Sequence, residues 1–370
     1  MIIKNATVYG ADFNPQKNDI EINGEIISAV EKTEKDGLDF SGCIALPGFI
    51  DIHIHGCNMA DATDGNADSV LKMSKWLASN GITSFCPTTM TLSVDFLKKC
   101  FKHTADAMGK EEGAYIHGIN MEGPFIAPEK KGAQAEEHII NPNFEIFSEL
   151  NSICPVKLVD IAPERPNATE FIKQAKEVCT VSAAHTTAGY SQGKAAIECG
   201  ITHATHLYNA MNGLTSREAG MVGAVLDSDN VTAELICDGI HISAPTLRIT
   251  FRALGEDRTV VISDAMMAAG LESGEYTLGG QRVIKTDAAR LADGTLAGSA
   301  TNLYEEFKNL LSFGIPLKQA IKSVTINPAR AIGADKITGS IEPGKNADIV
   351  IFSEDFSEIK AVFVKGNRII

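Results

Sequence analysis

The sequence has no pair of cysteines in a C-x-x-C pattern, although it contains eight cysteines in 370 residues. Isolated cysteines argue against a disulfide framework and against the common structural zinc motifs. The N-terminal segment MIIKNATVYG also has no basic region, no long apolar run and no cleavage site for export. We therefore predict a cytoplasmic protein whose thiols are reduced and lie in the core or in loops.

Long apolar runs and clusters of basic residues are missing as well. No segment approaches the roughly 18 apolar residues that cross a bilayer. The formal net charge is −14, and a negative chain repels polyanions on average. Neither nucleic acid nor an anionic membrane surface is therefore an expected partner. A small anionic substrate is compatible with this balance, because a single Arg or His can reverse the field inside a pocket.

The two ends of the chain resemble each other and differ from the middle. Both ends alternate polar and apolar residues around a turn, at Asn23-Gly24 and at Gly366-Asn367. Short strands of this kind cannot bury a face alone. With 44% hydrophobic residues the chain can form a large core. We predict a small β-sandwich domain built from residues 1–48 and 335–370, with a catalytic domain of residues 49–334 inserted between its halves.

The middle of the chain alternates strand and helix patterns. In SVLKMSKWLASNG, for example, Val70, Met73 and Leu77 share one helical face, Asn66 can cap the start and Gly81 ends the helix. Eight strands alternating with helices predict an α/β protein with a (β/α)8 TIM barrel. The candidate strands are 49–53, 82–88, 115–122, 156–163, 180–185, 201–206, 232–241 and 259–264.

Seven chemically active side chains occur at the C-terminal ends of these predicted strands, the face on which TIM barrels carry their active sites. They are His53, His55, Glu122, His185, His206, His241 and Asp264. No packing rule requires this placement. His53 and His55, two residues apart on one strand, point to the same side and can share an ion. A mixture of imidazole and carboxylate suits zinc, iron or a similar divalent ion.

Each of these histidines alone fits a hydrogen-bonded core residue as well as a ligand, and it is their combination that favours a metal centre. Three other histidines carry no such signal. His203 faces the opposite side of its strand from His206, and we interpret it as structural. His103 and His117 are interpreted as ordinary helix and mid-strand residues.

The motif PGFIDIHIHG at residues 47–56 resembles the signature of the amidohydrolase superfamily. Further motifs resemble, in this order along the whole chain, the N-acetylglucosamine-6-phosphate deacetylase family. They are MEGPF (121–125), AAHTTA (183–188), THATHLYNAM (202–211), CDGIHI (237–242), SDAMMAAG (263–270) and LAGSA (296–300). The resemblance implies hydrolysis of N-acetylglucosamine 6-phosphate to glucosamine 6-phosphate and acetate.

The resemblance also implies a ligand set for one or two divalent ions per subunit. Glu122, His185 and His206 correspond to the main site. His53 and His55 correspond to a second site that some members of the family lack. Glu122 takes the bridging place that a carbamylated lysine occupies in many relatives. The metal is expected to be zinc or iron.

The same resemblance places Asp264 next to the reacting water. An amide is a poor electrophile, and a divalent ion can polarise its carbonyl and activate water. A carboxylate in reach of that water can accept a proton and deliver it to the leaving amine. Asp264 is therefore the predicted catalytic residue, although it could also be a plain metal ligand.

For the sugar phosphate the resemblance points to His241, the backbone around Asn209 and Ala210, Ser299, and Arg217. A guanidinium suits a phosphate because its planar fork donates two parallel hydrogen bonds. In the family this arginine comes from a neighbouring subunit, which implies a homodimer with a shared active site. An arginine in a polar loop can equally be a solvated surface residue.

One departure from the family concerns the group that polarises the acetyl oxygen. Some members have a histidine about a dozen residues after the glutamate of MEGPF. Here that position is Gln134, and His138 follows four residues later. Gln134 could hydrogen-bond the substrate, and the sequence leaves open which of the two acts.

Two alternatives to the deacetylase reading are open at the level of the sequence. One is another amidohydrolase, such as a nucleobase deaminase or a cyclic-amide hydrolase. The other is a catalytically inactive barrel that serves as a scaffold. The motifs HLYNAM and DGIH argue against the first, and the complete set of candidate ligands argues against the second.

Overall fold

The computed structural model describes residues 1–370 and contains a TIM-barrel-like domain of parallel strands. Each of the eight segments predicted as strands contains a barrel strand in the structure, although most of these strands are shorter than expected. Barrel strands 1 to 8 are Phe49–Ile54, Ile82–Pro87, Tyr115–Ile116 with Ile119–Met121, Val156–Ile161, Thr180–Ala183, His203–Ala204, Thr232–Ile236 and Thr259–Ile262.

The strands follow one another in chain order around the barrel. Strands 1, 2 and the first part of 3 form one parallel sheet, and the second part of 3 through 8 forms another. Strand 8 is joined to strand 1 by two hydrogen bonds, from Asp264 N to His53 O (3.0 Å) and from His55 N to Ala265 O (2.9 Å). These bonds lie at the carboxyl edge, so they fix Asp264 against the histidine pair.

Barrel strand 3 is broken, which corrects the prediction of one continuous strand over residues 115–122. Gly118 has φ of +140°, and a Cβ atom there would come within 2.5 Å of the carbonyl oxygen of Pro155. Only glycine fits this conformation and this close approach. His117 therefore lies in the break and not in a strand, and its Nε2 is hydrogen-bonded to Ser84 Oγ at 3.0 Å.

Barrel strand 7 ends at Ile236, five residues before His241 and earlier than predicted. The carboxylate of Asp238 accepts hydrogen bonds from the backbone N–H groups of Ile240 and His241, both at 2.8 Å. This local turn competes with the strand for backbone partners. His241 therefore lies in a loop above the barrel and not at the end of a strand.

Most of the helices bury one apolar face, whereas Gly220–Leu226 and Ile326–Ala331 are buried almost completely. In the first helix of the chain Asn66 caps the start by accepting a hydrogen bond from Ser69 N at 2.9 Å, and Val70, Met73 and Leu77 are buried, as predicted. None of the helices combines the length and the apolar character that a bilayer crossing requires. The α-helices are Ala67–Ser79, Val94–Ala107, Phe144–Ile153, Ala168–Ala175, Tyr190–Cys199, Gly220–Leu226, Ala244–Leu254, Leu303–Ser312, Leu317–Val324 and Ile326–Ala331.

The two ends of the chain contribute strands to two further sheets. Residues from both sheets belong to one apolar cluster of thirteen buried residues. One sheet contains Ile2–Lys4, Ile20–Asn23, Ile26–Val30 and Leu38–Asp39. The other contains Thr7–Tyr9, Pro15–Gln16, Cys43–Pro47, Ile349–Ser353, Ile359–Val364 and Asn367–Arg368.

An antiparallel sheet that the sequence patterns did not indicate follows barrel strand 8. Its strands are Gly274–Leu278, Gln281–Lys285 and Ala289–Arg290. The side chain of Gln281 donates a hydrogen bond to the carbonyl oxygen of Ala133, which ties this sheet to the loop after barrel strand 3. Both segments border the cavity described below.

Candidate metal centre and active site

A cavity of about 390 Å³ opens at the carboxyl edge of the barrel strands. Its wall contains most of the side chains predicted to be functional. They are His55, Glu122, Gln134, His185, His206, Asn209, Ala210, His241 and Asp264. His53 lies directly beneath this wall and is fully buried. The barrel therefore brings residues that are far apart in sequence into one pocket.

Glu122, His185 and His206 form the first candidate ligand cluster. Glu122 Oε1 lies 3.0 Å from His185 Nε2 and 3.0 Å from His206 Nε2, and the two ring nitrogens are 3.2 Å apart. All three side chains are buried. Three protein ligands with one open side towards a cavity are typical of a catalytic divalent-ion site.

His53, His55 and Asp264 form the second candidate cluster. Asp264 Oδ1 lies 3.2 Å from His55 Nε2 and 3.6 Å from His53 Nε2. Both Asp264 Oδ1 and His53 Nε2 are buried without a hydrogen-bond partner. A buried polar atom without a partner typically costs about 1–3 kcal/mol. A cation between Asp264 Oδ1 and His53 Nε2 would give both atoms a partner. The residues present therefore suit a divalent ion.

Glu122 lies between the two clusters. While its Oε1 faces His185 and His206, its Oε2 lies 3.2 Å from His55 Nε2. The Oε2 atom also accepts a hydrogen bond from Gln134 Nε2 at 2.6 Å. This position matches that of a carboxylate shared by two ions, with no lysine in the arrangement.

The charges of the site compensate one another. Burial alone would raise the pKa of Glu122, but hydrogen bonds with His185, His206 and His55 hold it well below its usual range. Burial would lower the pKa of His55, yet Asp264 and Glu122 raise it to about 10. The carboxylates of Glu122 and Asp264 thus favour positive charge beside them, and a divalent ion can supply that charge in place of protons.

Three of the candidate metal ligands have left-handed backbone conformations. The φ angles are +43° for His185, +30° for His206 and +46° for Asp264. Each such residue typically costs about 1–3 kcal/mol and persists only where its surroundings enforce it. For Asp264 the enforcing contact is the hydrogen bond from Ser299 N to Asp264 O, at 2.7 Å. The strain directs these side chains towards the cavity.

Ser299 itself does not line the cavity. Its side chain is buried and donates a hydrogen bond to the carbonyl oxygen of Ser263 at 2.5 Å. Together with its backbone bond to Asp264, this contact makes Ser299 part of the turn that carries Asp264. The sequence motif LAGSA is thus located beside the site, with its serine turned away from the cavity.

His241 is oriented by the acid three residues before it. Its Nδ1 is 2.7 Å from Asp238 Oδ2. Burial raises the pKa of Asp238, but the hydrogen bond with His241 outweighs that effect and lowers it. A carboxylate that accepts from Nδ1 leaves Nε2 as the ring atom available to the cavity.

Arg217 and His138 lie outside the cavity within this chain. Arg217 is exposed in the loop that follows Ala210, and the half-buried His138 borders a separate pocket with Asp61 and Asp64. Two cationic side chains that the sequence analysis passed over, Lys130 and Arg290, line the cavity instead. The only sequence signal for Lys130 was that it is one of two adjacent basic residues after MEGPF. No sequence signal indicated Arg290.

His203, interpreted as structural, has no contact with the cavity. It is fully buried, with Nδ1 2.6 Å from Thr232 Oγ1 and Nε2 3.2 Å from Glu234 Oε1. Glu234 in turn contacts His53. Glu234 was not among the predicted site residues, although an acid within the apolar strand TAELI was a visible signal in the sequence.

Comparison with known proteins agrees with the geometry of the site. Residues 44–369 match the amidohydrolase family. The chain is 33% identical to an N-acetylglucosamine-6-phosphate deacetylase of Lysinibacillus sphaericus, over 96% of this chain and 94% of that protein. It is 31% identical to an N-acetylgalactosamine-6-phosphate deacetylase of Escherichia coli O157:H7, over 94% of this chain and 93% of that protein.

A solved structure shows the same relationship in three dimensions. The crystal structure of N-acetylglucosamine-6-phosphate deacetylase from Pasteurella multocida superposes with a TM-score of 0.93 at 31% identity, covering 99% of this chain and 98% of that one. The sequence motifs, the barrel and the relatives agree across nearly the whole length. The chain therefore belongs to the amidohydrolase family and, within it, to the N-acetylglucosamine-6-phosphate deacetylases.

Proposed function

We propose that the protein is a metal-dependent hydrolase that converts N-acetylglucosamine 6-phosphate to glucosamine 6-phosphate and acetate. The observation that carries this proposal is the arrangement of two ligand clusters around Glu122 in the wall of one cavity. The names of the relatives give the substrate, and the geometry supplies groups suited to its chemistry.

Six side chains would hold the metal in this proposal. Glu122, His185 and His206 would bind the first ion, and His53, His55 and Asp264 a second one. Nitrogen and carboxylate donors together suit zinc or iron. When bound, a divalent ion supplies polarisation of the amide carbonyl and activation of water.

Asp264 is the proposed proton carrier. Its carboxylate faces the cavity, and hydrogen bonding and charge from His55 and His53 outweigh burial and lower its pKa, so it is ionised at neutral pH. An ionised carboxylate can take a proton from the attacking water. The same proton can then be delivered to the sugar nitrogen, because an amine leaves readily only when protonated.

The sugar phosphate is proposed to lie across the cavity against His241 and the backbone of Asn209 and Ala210. Lys130 and Arg290 add positive charge to the same wall. We assign Arg217 to the phosphate site of the partner subunit in a homodimer, since it is exposed and outside its own cavity. Gln134, which is hydrogen-bonded to Glu122, is also proposed to hydrogen-bond the substrate.

Two further assignments concern the whole chain. We propose that residues 1–48 and 335–370 form a β-sandwich domain and that residues 49–334 form the catalytic (β/α)8 barrel, supported by the apolar cluster that both terminal sheets share. We also propose a cytoplasmic location, because all eight cysteines are free thiols and thiols persist in a reducing compartment.

The relationship to the Escherichia coli O157:H7 protein supports one second candidate, the deacetylation of N-acetylgalactosamine 6-phosphate. The two sugars differ only in the configuration at C4. Acetate release from both 6-phosphates and from both unphosphorylated sugars, after reconstitution with zinc or iron, separates the candidates. We expect the highest kcat/KM for N-acetylglucosamine 6-phosphate. Acetate release from none of the four sugars by metal-loaded protein would refute the proposal, and a higher kcat/KM for N-acetylgalactosamine 6-phosphate would favour the second candidate.

A further inference from the structure

Glu234 is a buried carboxylate that belongs to neither ligand cluster and does not line the cavity. It lies in barrel strand 7 and has no exposed surface. Its Oε2 is 3.0 Å from His53 Nδ1 and accepts a hydrogen bond from His206 N at 3.2 Å. A buried charge is costly unless it is paired, so this placement calls for a reason.

The contact with Glu234 determines which ring nitrogen of His53 carries the proton. A carboxylate only accepts hydrogen bonds, so His53 Nδ1 must be the protonated nitrogen. His53 Nε2 then has a free lone pair in the neutral ring. That atom is buried without a partner and points towards Glu122 Oε1 and Asp264 Oδ1, at 3.7 Å and 3.6 Å.

His53 is the only one of the four candidate histidine ligands whose Nδ1 contacts a carboxylate. His55 Nδ1 lies 3.3 Å from the carbonyl oxygen of Thr88, and His185 Nδ1 lies 2.7 Å from that of Lys130. His206 Nδ1 has no partner. A carboxylate behind a ligating imidazole fixes its orientation and increases its basicity more than a carbonyl does.

The carboxylate of Glu234 is itself fixed from the other side. Its Oε1 lies 3.2 Å from His203 Nε2, whose Nδ1 contacts Thr232 Oγ1 at 2.6 Å. With partners at both oxygens, Glu234 cannot rotate away from His53. This explains why a second buried histidine lies behind the site without facing the cavity.

We propose that Glu234 is a positioning residue that holds His53 in the orientation and tautomer required to bind the second divalent ion, and whose negative charge increases the basicity of the ligating His53 Nε2. His203 and Thr232 complete the arrangement by fixing Glu234. This inference rests on the two ion sites of the proposed function, but it does not depend on which sugar is the substrate.

Glu234→Gln tests the inference with little change of shape. The amide oxygen of glutamine can still accept from His53 Nδ1 and His206 N, and its NH2 group can donate to His203 in the other tautomer. Only the charge is lost. Loss of such a supporting group typically weakens metal binding by about 10- to 100-fold. We expect this decrease for the second ion alone.

The measurement is equilibrium dialysis against Zn²⁺ with the metal content determined by mass spectrometry. Asp348→Asn is the matched control. Asp348 is another buried carboxylate, accepts hydrogen bonds from Thr338 Oγ1 at 2.9 Å and from Lys365 N at 2.8 Å, and has no hydrogen bond with a candidate ligand. It should leave both Zn²⁺ affinities unchanged.

A double variant separates positioning from general stability. If Glu234 acts through His53, adding Glu234→Gln to His53→Gln should change the Zn²⁺ content no further. Should Glu234→Gln fail to fold, Glu234→Asp keeps the charge one methylene farther away, and an intermediate affinity for the second ion is expected.

The outcomes distinguish this inference from the proposed function. Wild-type protein that binds no Zn²⁺ would refute the proposed metal-dependent hydrolase itself. Two ions bound equally tightly by wild type and Glu234→Gln, equal loss of both ions, or wild-type protein that binds only one ion would overturn the role of Glu234 alone.

Discussion

The side-chain amide of Gln134 bridges Glu122 and the backbone of Thr91. Its Nε2 donates to Glu122 Oε2 at 2.6 Å, and its Oε1 accepts from Thr91 N at 2.5 Å. The residue is buried within the cavity wall. Gln134 therefore fixes the one carboxylate that faces both ligand clusters, a role that the sequence had not indicated beside its expected contact with the substrate.

Gln134→Ala is predicted to lower kcat by roughly 10- to 100-fold, because a hydrogen bond to a charged group contributes about 1.5–3 kcal/mol. His138→Ala, the matched change at the other position left open by the sequence, should stay within about twofold of wild type. Steady-state kinetics of both variants measures the difference. A large loss in His138→Ala with none in Gln134→Ala would assign the role to the histidine.

Metal content is predicted to follow the two clusters. Glu122→Ala and His206→Ala should each lose the ion of the first cluster, since only three ligands hold it. His53→Ala should lose mainly the second ion, because it leaves the first cluster intact. Metal analysis of the three purified proteins checks this. Unchanged metal content in all three would show that the ligands are elsewhere.

Asp264→Asn is predicted to retain the ion held by Glu122, His185 and His206 while turnover falls at least about 100-fold, the usual range for a general acid or base. An amide keeps the shape but cannot accept the proton. Single-turnover kinetics at matched metal content measures the effect. Activity within a few-fold of wild type would mean that another group transfers the proton.

Arg217→Ala is predicted to raise KM for the 6-phosphate substrate by roughly 10- to 100-fold, the worth of one charged hydrogen bond. Turnover of the unphosphorylated sugar should change little, because that sugar has no phosphate to contact. The exposed position of Arg217 requires a partner subunit for this role.

Mixing Arg217→Ala with Asp264→Asn chains tests the shared site. A heterodimer formed by subunit exchange would contain one cavity with both native residues, and activity should recover in part. Subunit exchange without any recovery of activity would show that Arg217 binds the phosphate in the cavity of its own chain or binds no phosphate.

Sequence periodicity was enough to locate the barrel strands approximately, together with most of the candidate residues near their carboxyl ends. His53 and His55 lie on one strand two residues apart, and strands of a barrel expose their carboxyl ends on one face. Glu122, which directly follows barrel strand 3, reaches the same pocket for that reason. These placements depend on local patterns, which a single sequence contains.

The remaining features depend on contacts that no local pattern encodes. The break at Gly118 follows from the approach of Pro155, which directly precedes the next strand. Arg290 lies at the cavity because it belongs to the antiparallel sheet that follows barrel strand 8. The role of Glu234 can be inferred only from its contact with His53, which is 181 residues away in the sequence. The hydrogen bond from the Ser299 hydroxyl to the carbonyl oxygen of Ser263 likewise joins residues that are 36 positions apart in the sequence.

Product formation from N-acetylglucosamine 6-phosphate, measured with protein reconstituted with zinc or iron and with chelator-treated protein as the control, decides whether the protein is a metal-dependent deacetylase. We expect acetate and glucosamine 6-phosphate in equal amounts from the metal-loaded protein and neither product from the metal-free protein. Fully metal-loaded protein that releases no acetate, or metal-free protein that is equally active, would show that the protein is not a metal-dependent deacetylase.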